Sequence, residues 1–342
     1  MIDYPAYRVA AAHVAPVFLD AQASLEKALS LIAEATYNGA SLIAFPESFL
    51  PGFPVWAALA APIRTHELFK RFVAESVLVP GPAVERLCDA ARRHGIVVSI
   101  GVSEGTTASV GCIWNSNLLI GADGSLLNHH RKLVPTYFEK MIWASGDGHG
   151  LRVVETPLGR IGALICGENT NPLARYALMA QGEQLHISTY PPLWPTRPPE
   201  EKGNYDLTQS ILIRAGAHAF EAKAFNLVAS AHRDRTLEDA LAAALGREAL
   251  DLIDGAPQGV SMVIGPDGAP LAKLSGEEGL LYADIDLSAA VEPKQFHDVV
   301  GYYNRFDIFN LSVDRTRHVP VTLTEGSVVA GGPQTLEIKE VP

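Results

Sequence analysis

The chain has 342 residues, 48% of them hydrophobic and 19% charged, with a mean hydropathy of +0.12. This excludes a chain disordered over most of its length and fits one large α/β domain, which at this size buries roughly 75% of its unfolded surface. Twenty-seven basic residues against 38 acidic ones leave a net charge of −11 with no Lys/Arg run, so nucleic acid and membrane surfaces are not expected partners.

No apolar stretch reaches the ~20 residues of a membrane span, and residues 1–17 have no basic region ahead of a long apolar one, so a cytoplasmic protein is expected. Residues 8–17 read as a strand, and 24–39 as a helix with one apolar stripe and a glycine stop. A short apolar strand covers 41–45, and a helix over 83–94 leads through Gly95 into a buried strand at 96–102. The period then changes to hairpins. Residues 112–120 and a strand at 151–156 flank the turn Ala122-Asp123-Gly124 and a long loop. Strand 160–165, helix 172–182, strand 184–188, helix 205–224 and strand 226–230 follow in alternation. A surface helix is expected over 237–253, a hairpin around Pro266-Asp267-Gly268, and a last strand over 279–286. Residues 1–317 are expected to form the domain and 318–342 an extended tail. Strands alternating with helices, mixed with hairpins, indicate a layered α/β fold with mixed sheets.

Two motifs are set aside on context. Gly101-Val102-Ser103-Glu104-Gly105 matches a serine-hydrolase elbow, but such an elbow turns from strand into helix, and here a second strand follows. His129-His130 has no third ligand at a metal-binding spacing. The three cysteines, Cys88, Cys112 and Cys166, form no C-x-x-C pair. Cys88 lies in an amphipathic helix and Cys112 opens an apolar run, both positions for packing residues.

Cys166 follows the apolar strand 160–165 and precedes Asn171-Pro172, a natural helix cap and first helical residue. The thiol is therefore expected at the carboxyl end of a strand, where open α/β sheets keep their sites, with a helix N-terminus lowering its pKa. Local sequence leaves two readings open, a nucleophile and a buried structural cysteine. Glu47 ends the apolar run 42–46 and is walled in by residues 49–54, a setting for proton transfer. Lys132 leaves a hairpin strand and precedes Glu139. An acid, a lysine and a cysteine each leave a strand beside apolar sequence.

Phe45-Pro46-Glu47, the segment 131–143 around Lys132 and the segment 166–188 around Cys166 resemble the three signature segments of the nitrilase superfamily, in the same order. Residues 171–184, with 298–307, are more similar to the nitrilase branch than to the amidase or carbamoylase branches. Two positions depart from that pattern. Gly167 stands where many nitrilases have Trp, and Tyr302 where they commonly have His.

The resemblance implies a four-layer αββα sandwich and a Glu–Lys–Cys site that needs no metal or organic cofactor. Cys166 would attack a nitrile carbon, Glu47 would act as general base, and Lys132 would stabilise charge on the nitrogen. Glu139 would hold the lysine. The implied reaction turns an organic nitrile into a carboxylic acid and ammonia; an amide-forming nitrile or cyanide hydratase, or an amidase, would use the same residues. Trp143, Gly167, Phe53 and Tyr190, the last in a proline-rich loop at 190–195, are candidate substrate contacts, and their apolar character suits an uncharged nitrile. The resemblance also implies homo-oligomers, with the helix at Asn171–Gly182 as a contact.

Overall fold

Along the first strand, Val9 and Ala11 face one way and Ala10 and Ala12 the other, and all four are buried. A two-residue period with both faces apolar requires a packed layer on each side of the sheet. The structure, a computed structural model, describes residues 4–321.

The first half of the chain runs β1 (Ala6–His13), α1 (Ala21–Tyr37), β2 (Ala40–Ala44), α2 (Trp56–Leu59), α3 (His66–Ala74), α4 (Pro82–His94), β3 (Val97–Glu104), β4 (Trp114–Ile120) and β5 (Leu126–Arg131). The second half runs β6 (Val154–Thr156), β7 (Gly159–Ile165), α5 (Pro172–Met179), β8 (Leu185–Tyr190), α6 (Leu207–Ala222), β9 (Phe225–Ser230), α7 (Arg235–Leu245), α8 (Glu248–Asp254), β10 (Ser261–Ile264), β11 (Pro270–Leu274), β12 (Gly279–Asp286) and α9 (Val291–Phe296). The strands form two six-stranded sheets, ordered β12-β1-β2-β3-β4-β5 and β11-β10-β9-β8-β7-β6. Each has a parallel centre, β1-β2-β3 or β7-β8-β9, and antiparallel flanks.

The sheets stack face to face. Val9, Ala11, Leu42 and Ala44 of one pack with Ile161, Ala163, Leu185 and Leu227 of the other. On the outer face of the first sheet, Ala10, Ile43, Val98 and Ile100 meet Leu25 and Ile32 of α1 and Leu87 of α4. On the outer face of the second, Val228, Met262 and Ile264 meet Ile211, Ala215 and Ala219 of α6. The four-layer αββα sandwich follows from this alternation.

Helix ends obey local chemistry. Asp20 caps α1 through Ala23 N–H, and α4 ends in Arg92, Arg93 and His94 before Gly95 at φ +63°, a conformation that costs glycine little. The expected surface helix over 237–253 is corrected. It breaks into α7 and α8 at Gly246 (φ +87°), and Leu237, Leu241 and Ile253 enter the same apolar cluster as Cys166. The expected strand 151–156 shortens to Val154–Thr156. Gly101–Gly105 lies in and just after β3, paired to β4, with no turn into a helix. Residues 297–321 hold no helix or strand, yet Arg317 and His318 bond Asp147. Most of the expected tail, residues 322–342, lies outside the described residues.

Candidate active site

Three strand ends converge. Glu47 lies three residues beyond β2, Lys132 directly follows β5, and Cys166 directly follows β7 from the other sheet. Glu139 arrives on a 3-10 turn, Tyr137–Met141, whose capping box ties the Glu139 carboxylate to Thr136 N–H at 2.8 Å. Lys132 Nζ donates to Glu47 Oε1 at 2.9 Å and to Glu139 Oε2 at 2.6 Å. A carboxylate oxygen of Glu47, one of Glu139 and Cys166 Sγ all lie within 4.8 Å of one another. Cys166 is 4% exposed, and the other three are buried more deeply.

Burial sets the electrostatics. It pushes the Cys166 thiol well above its ordinary pKa; Glu47 adds to that push and Lys132 opposes it. The expected lowering by a helix N-terminus is therefore corrected. The first amides of α5, Leu173 and Ala174 N–H, are taken by the Asn171 side chain, and the charge that favours the thiolate belongs to Lys132. Burial works against the Lys132 cation, but Glu139 and Glu47 outweigh it and hold its pKa above the ordinary lysine value. Burial also raises the Glu139 carboxyl; Lys132 pulls it back and Glu47 pushes it further up.

Several supporting groups escaped the sequence reading. Asn115 Nδ2 donates to Glu47 Oε1 at 2.7 Å, leaving Glu47 Oε2 without a hydrogen-bond partner among the described residues. Glu168 accepts from Leu133 N at 2.6 Å, Ile165 N at 2.9 Å and His130 Nε2 at 2.9 Å, tying the end of β5 to the end of β7. His130 adjoins the segment around Lys132 and Glu168 lies inside the segment around Cys166, so both stand in or beside signature sequence. Asn115, inside a strand far from Glu47 in the chain, gave no such signal.

The candidate substrate contacts divide between two places. Phe53, Trp143 and Tyr190 share an apolar cluster with Cys166, Phe138 and Trp194. The Phe53 ring lies 5.5 Å from Trp143 and 5.9 Å from Trp194, and Phe138 stacks on Trp194 at 4.3 Å. Phe53 and Glu47 also line a narrow cavity of about 10 Å³ with Phe18, Pro192 and His232. Gly167 instead lines a cleft of about 290 Å³ with Thr136, Tyr137 and Asn171. A Cβ at Gly167 would meet Thr136 Oγ1 at 2.6 Å, so Thr136 would have to move before any side chain fits there. Tyr302, the second departure, is 73% exposed at the surface.

Residues 8–295 match the family model for carbon–nitrogen hydrolase. The chain is 35% identical over 337 residues to an aliphatic nitrilase of Rhodococcus rhodochrous, covering 96% of this chain and 89% of that one. It is also 35% identical over 315 residues to an arylacetonitrilase of Hypocrea virens, covering 90% and 92%. The NitFhit protein of C. elegans has a TM-score of 0.66 at 19% identity, covering 92% of this chain and 68% of that one. Saccharomyces cerevisiae Nit3, of branch 10 of the nitrilase superfamily, has 0.65 at 18% identity, covering 89% and 97%. These two structures speak to the fold alone. By its family match and its relatives, the chain belongs to the carbon–nitrogen hydrolase family and is a hydrolase of carbon–nitrogen bonds.

Proposed function

We propose that this hydrolase is a nitrilase, converting an uncharged organic nitrile to a carboxylic acid and ammonia through a covalent intermediate on Cys166. The observation that carries the reading is one ammonium, Lys132 Nζ, bonded to two carboxylates that both lie within 4.8 Å of a buried thiol. Relatives named aliphatic nitrilase and arylacetonitrilase support it.

The buried thiol stays protonated until it reacts. Glu47 Oε2 takes the proton as Sγ attacks the nitrile carbon. Negative charge grows on the nitrogen beside Lys132, whose fixed ammonium stabilises it without reorganisation. Glu47 passes that proton to the nitrogen, which gives the thioimidate and frees its carboxylate. Glu47 then deprotonates a water that adds to the same carbon, the C–N bond breaks, and ammonia leaves. A second water cleaves the thioester, releasing acid and restoring the thiol, so two waters are consumed per nitrile. Glu139 holds Lys132 in line. Phe53, Trp143 and Tyr190 pack the apolar part of the substrate, and Gly167 leaves its cleft open.

The tetrahedral species can instead expel the thiol and release an amide. Quantifying ammonia, acid and amide from a nitrile panel separates the two outcomes. Acid with stoichiometric ammonia supports a nitrilase; amide as the sole product replaces it with a hydratase.

The same reading extends to assembly and setting. The protein is proposed to form homo-oligomers through α5 and α6, where Leu173 and Ile213 are 61% and 60% exposed. Three unpaired cysteines suit a cytoplasmic, reducing setting. One catalytic domain is proposed over residues 1–317, with 318–342 as a tail.

A further inference from the structure

Behind Cys166 lies a buried polar chain that the reaction above does not use. Cys166 adopts φ +51°, a left-handed backbone unusual for a residue with a Cβ. Its carbonyl accepts from Asn169 Nδ2 at 3.1 Å, and the same amide donates to Leu164 O at 3.3 Å. Both partners are carbonyls, so the Asn169 nitrogen must face them and its Oδ1 must face the other way. There Oδ1 meets His186 Nε2 at 2.9 Å, and Ser188 Oγ, whose proton is shared with Asn226 Oδ1, at 3.2 Å. His186 Nδ1 lies 2.7 Å from Glu183 Oε1, and His218 Nε2 lies 2.7 Å from Glu183 Oε2. The two imidazole rings stack at 3.7 Å. Asn169, Glu183, His186 and His218 are all buried.

Counting donors decides the protonation. Asn169 Oδ1 and an ionised Glu183 carboxylate can only accept, so both nitrogens of His186 must carry hydrogen. We propose that His186 is an imidazolium donating from both ring nitrogens, to Glu183 and to Asn169, and that it positions the nucleophile by loading Asn169, which grips the Cys166 carbonyl and holds the turn that aims Sγ. Burial opposes the Glu183 charge, but the two histidines outweigh it and hold the carboxyl down to about 2. Burial and the neighbouring His186 push His218 down to about 4, leaving it neutral and matching its single hydrogen bond. Arg175, paired with Glu221 at 3.0 Å, is a further cation acting on His218. Glu183, His186 and His218 are also close enough to share a metal. Both carboxylate oxygens, however, already bond ring nitrogens at hydrogen-bond distance. The positioning role rests on the reading of Cys166 as nucleophile; the charge on His186 does not.

Nitrogen-15 NMR of histidine-labelled whole protein at pH 8 tests the charge. A histidine signal with both ring nitrogens protonated that is lost in His186→Gln is expected. A neutral His186, or a stoichiometric transition metal by elemental analysis that His186→Gln removes, overturns the proposal. For positioning, His186→Leu is expected to lower kcat roughly 10²-fold, the scale of a ~1 Å misplacement, with KM little changed. His186→Gln, which keeps a donor to Asn169, recovers part of that loss. Full kcat in a folded His186→Leu protein overturns the role, as does a loss confined to KM. If Cys166→Ala stays active, the reading of the nucleophile fails, while the NMR result still decides the charge.

Discussion

Lys132 and Glu139, seven residues apart, meet at 2.6 Å with both side chains fully withdrawn from solvent. The same Glu139 oxygen accepts Thr136 N–H, so the carboxylate is anchored from its own turn before it reaches the lysine. Glu139→Gln keeps the shape but removes the charge that holds the ammonium. Ammonia release is expected to fall by roughly 10²–10³, as when a preorganised electrostatic group is lost, while the fold survives. Unchanged turnover would show that Glu47 suffices as the partner of Lys132.

Cys166 is the buried cysteine, whereas Cys88 and Cys112 are half-buried and lie outside the cluster of acids and lysine. Cys166→Ala is expected to abolish turnover and any substrate-derived mass on the intact protein. Cys88→Ala and Cys112→Ala should keep most activity. An adduct that persists in Cys166→Ala would place the nucleophile elsewhere.

Glu104, at the end of β3, bonds Ser116 Oγ at 2.6 Å, His129 Nε2 at 2.7 Å and Arg131 Nε at 3.0 Å. Burial alone would raise its pKa, but His129 and Arg131 outweigh that and hold it at about 2. A folded pKa below the unfolded one gives stability that is present above pH ~4.5 and lost as pH falls toward 2. The stability gap between wild type and Glu104→Gln should therefore shrink by about 3 kcal/mol between pH 7 and pH 2. Denaturant unfolding at both pH values measures it, and an equal gap would rule out ionisation as the source.

Gly167 faces Thr136, whose backbone N–H and carbonyl hold the turn carrying Glu139. Gly167→Ala forces Thr136 aside and should loosen Glu139, lowering kcat roughly 10-fold or more. Pairing it with Thr136→Ala, which removes the hydroxyl that the new Cβ would meet and leaves the backbone contacts to Glu139, tests the link. Additive effects of the two changes would break it.

Exposed Leu173 and Ile213 on α5 and α6 predict self-association near the Cys166 turn. Ile213→Glu should shift sedimentation toward smaller species. A wild-type protein that is monomeric and fully active when dilute would refute the assembly.

Alternating strands and helices predicted a layered α/β fold with mixed sheets, because a strand apolar on both faces must be covered twice and each helix stripe can cover only one face; the four-layer αββα arrangement came from the family resemblance. Signature segments likewise pointed to Glu47, Lys132 and Cys166, each just beyond a strand end, and to Glu139 in the turn after Lys132. Helix interruption was less legible. Gly246 splits α7 from α8, and whether Leu237 and Ile253 face solvent or core depends on what packs across them.

The sequence by itself determined which residue types stand at the strand ends, and with them the chemistry available. Only the tertiary structure decided how those groups behave. Asn115 reaches Glu47 through strand register, and burial together with the surrounding charges sets the pKa of Cys166. Asn169 and His186 meet because parallel pairing sets His186 beside Gly162 of β7 while the turn after Cys166 folds Asn169 back onto that strand, its Nδ2 on Leu164 O. Local grammar suggested a helix dipole acting on the thiol, whereas the fold spends those amides on Asn171 and places an ammonium from the other sheet beside the sulfur. Field and solvation depend on distance in space, which chain order does not encode.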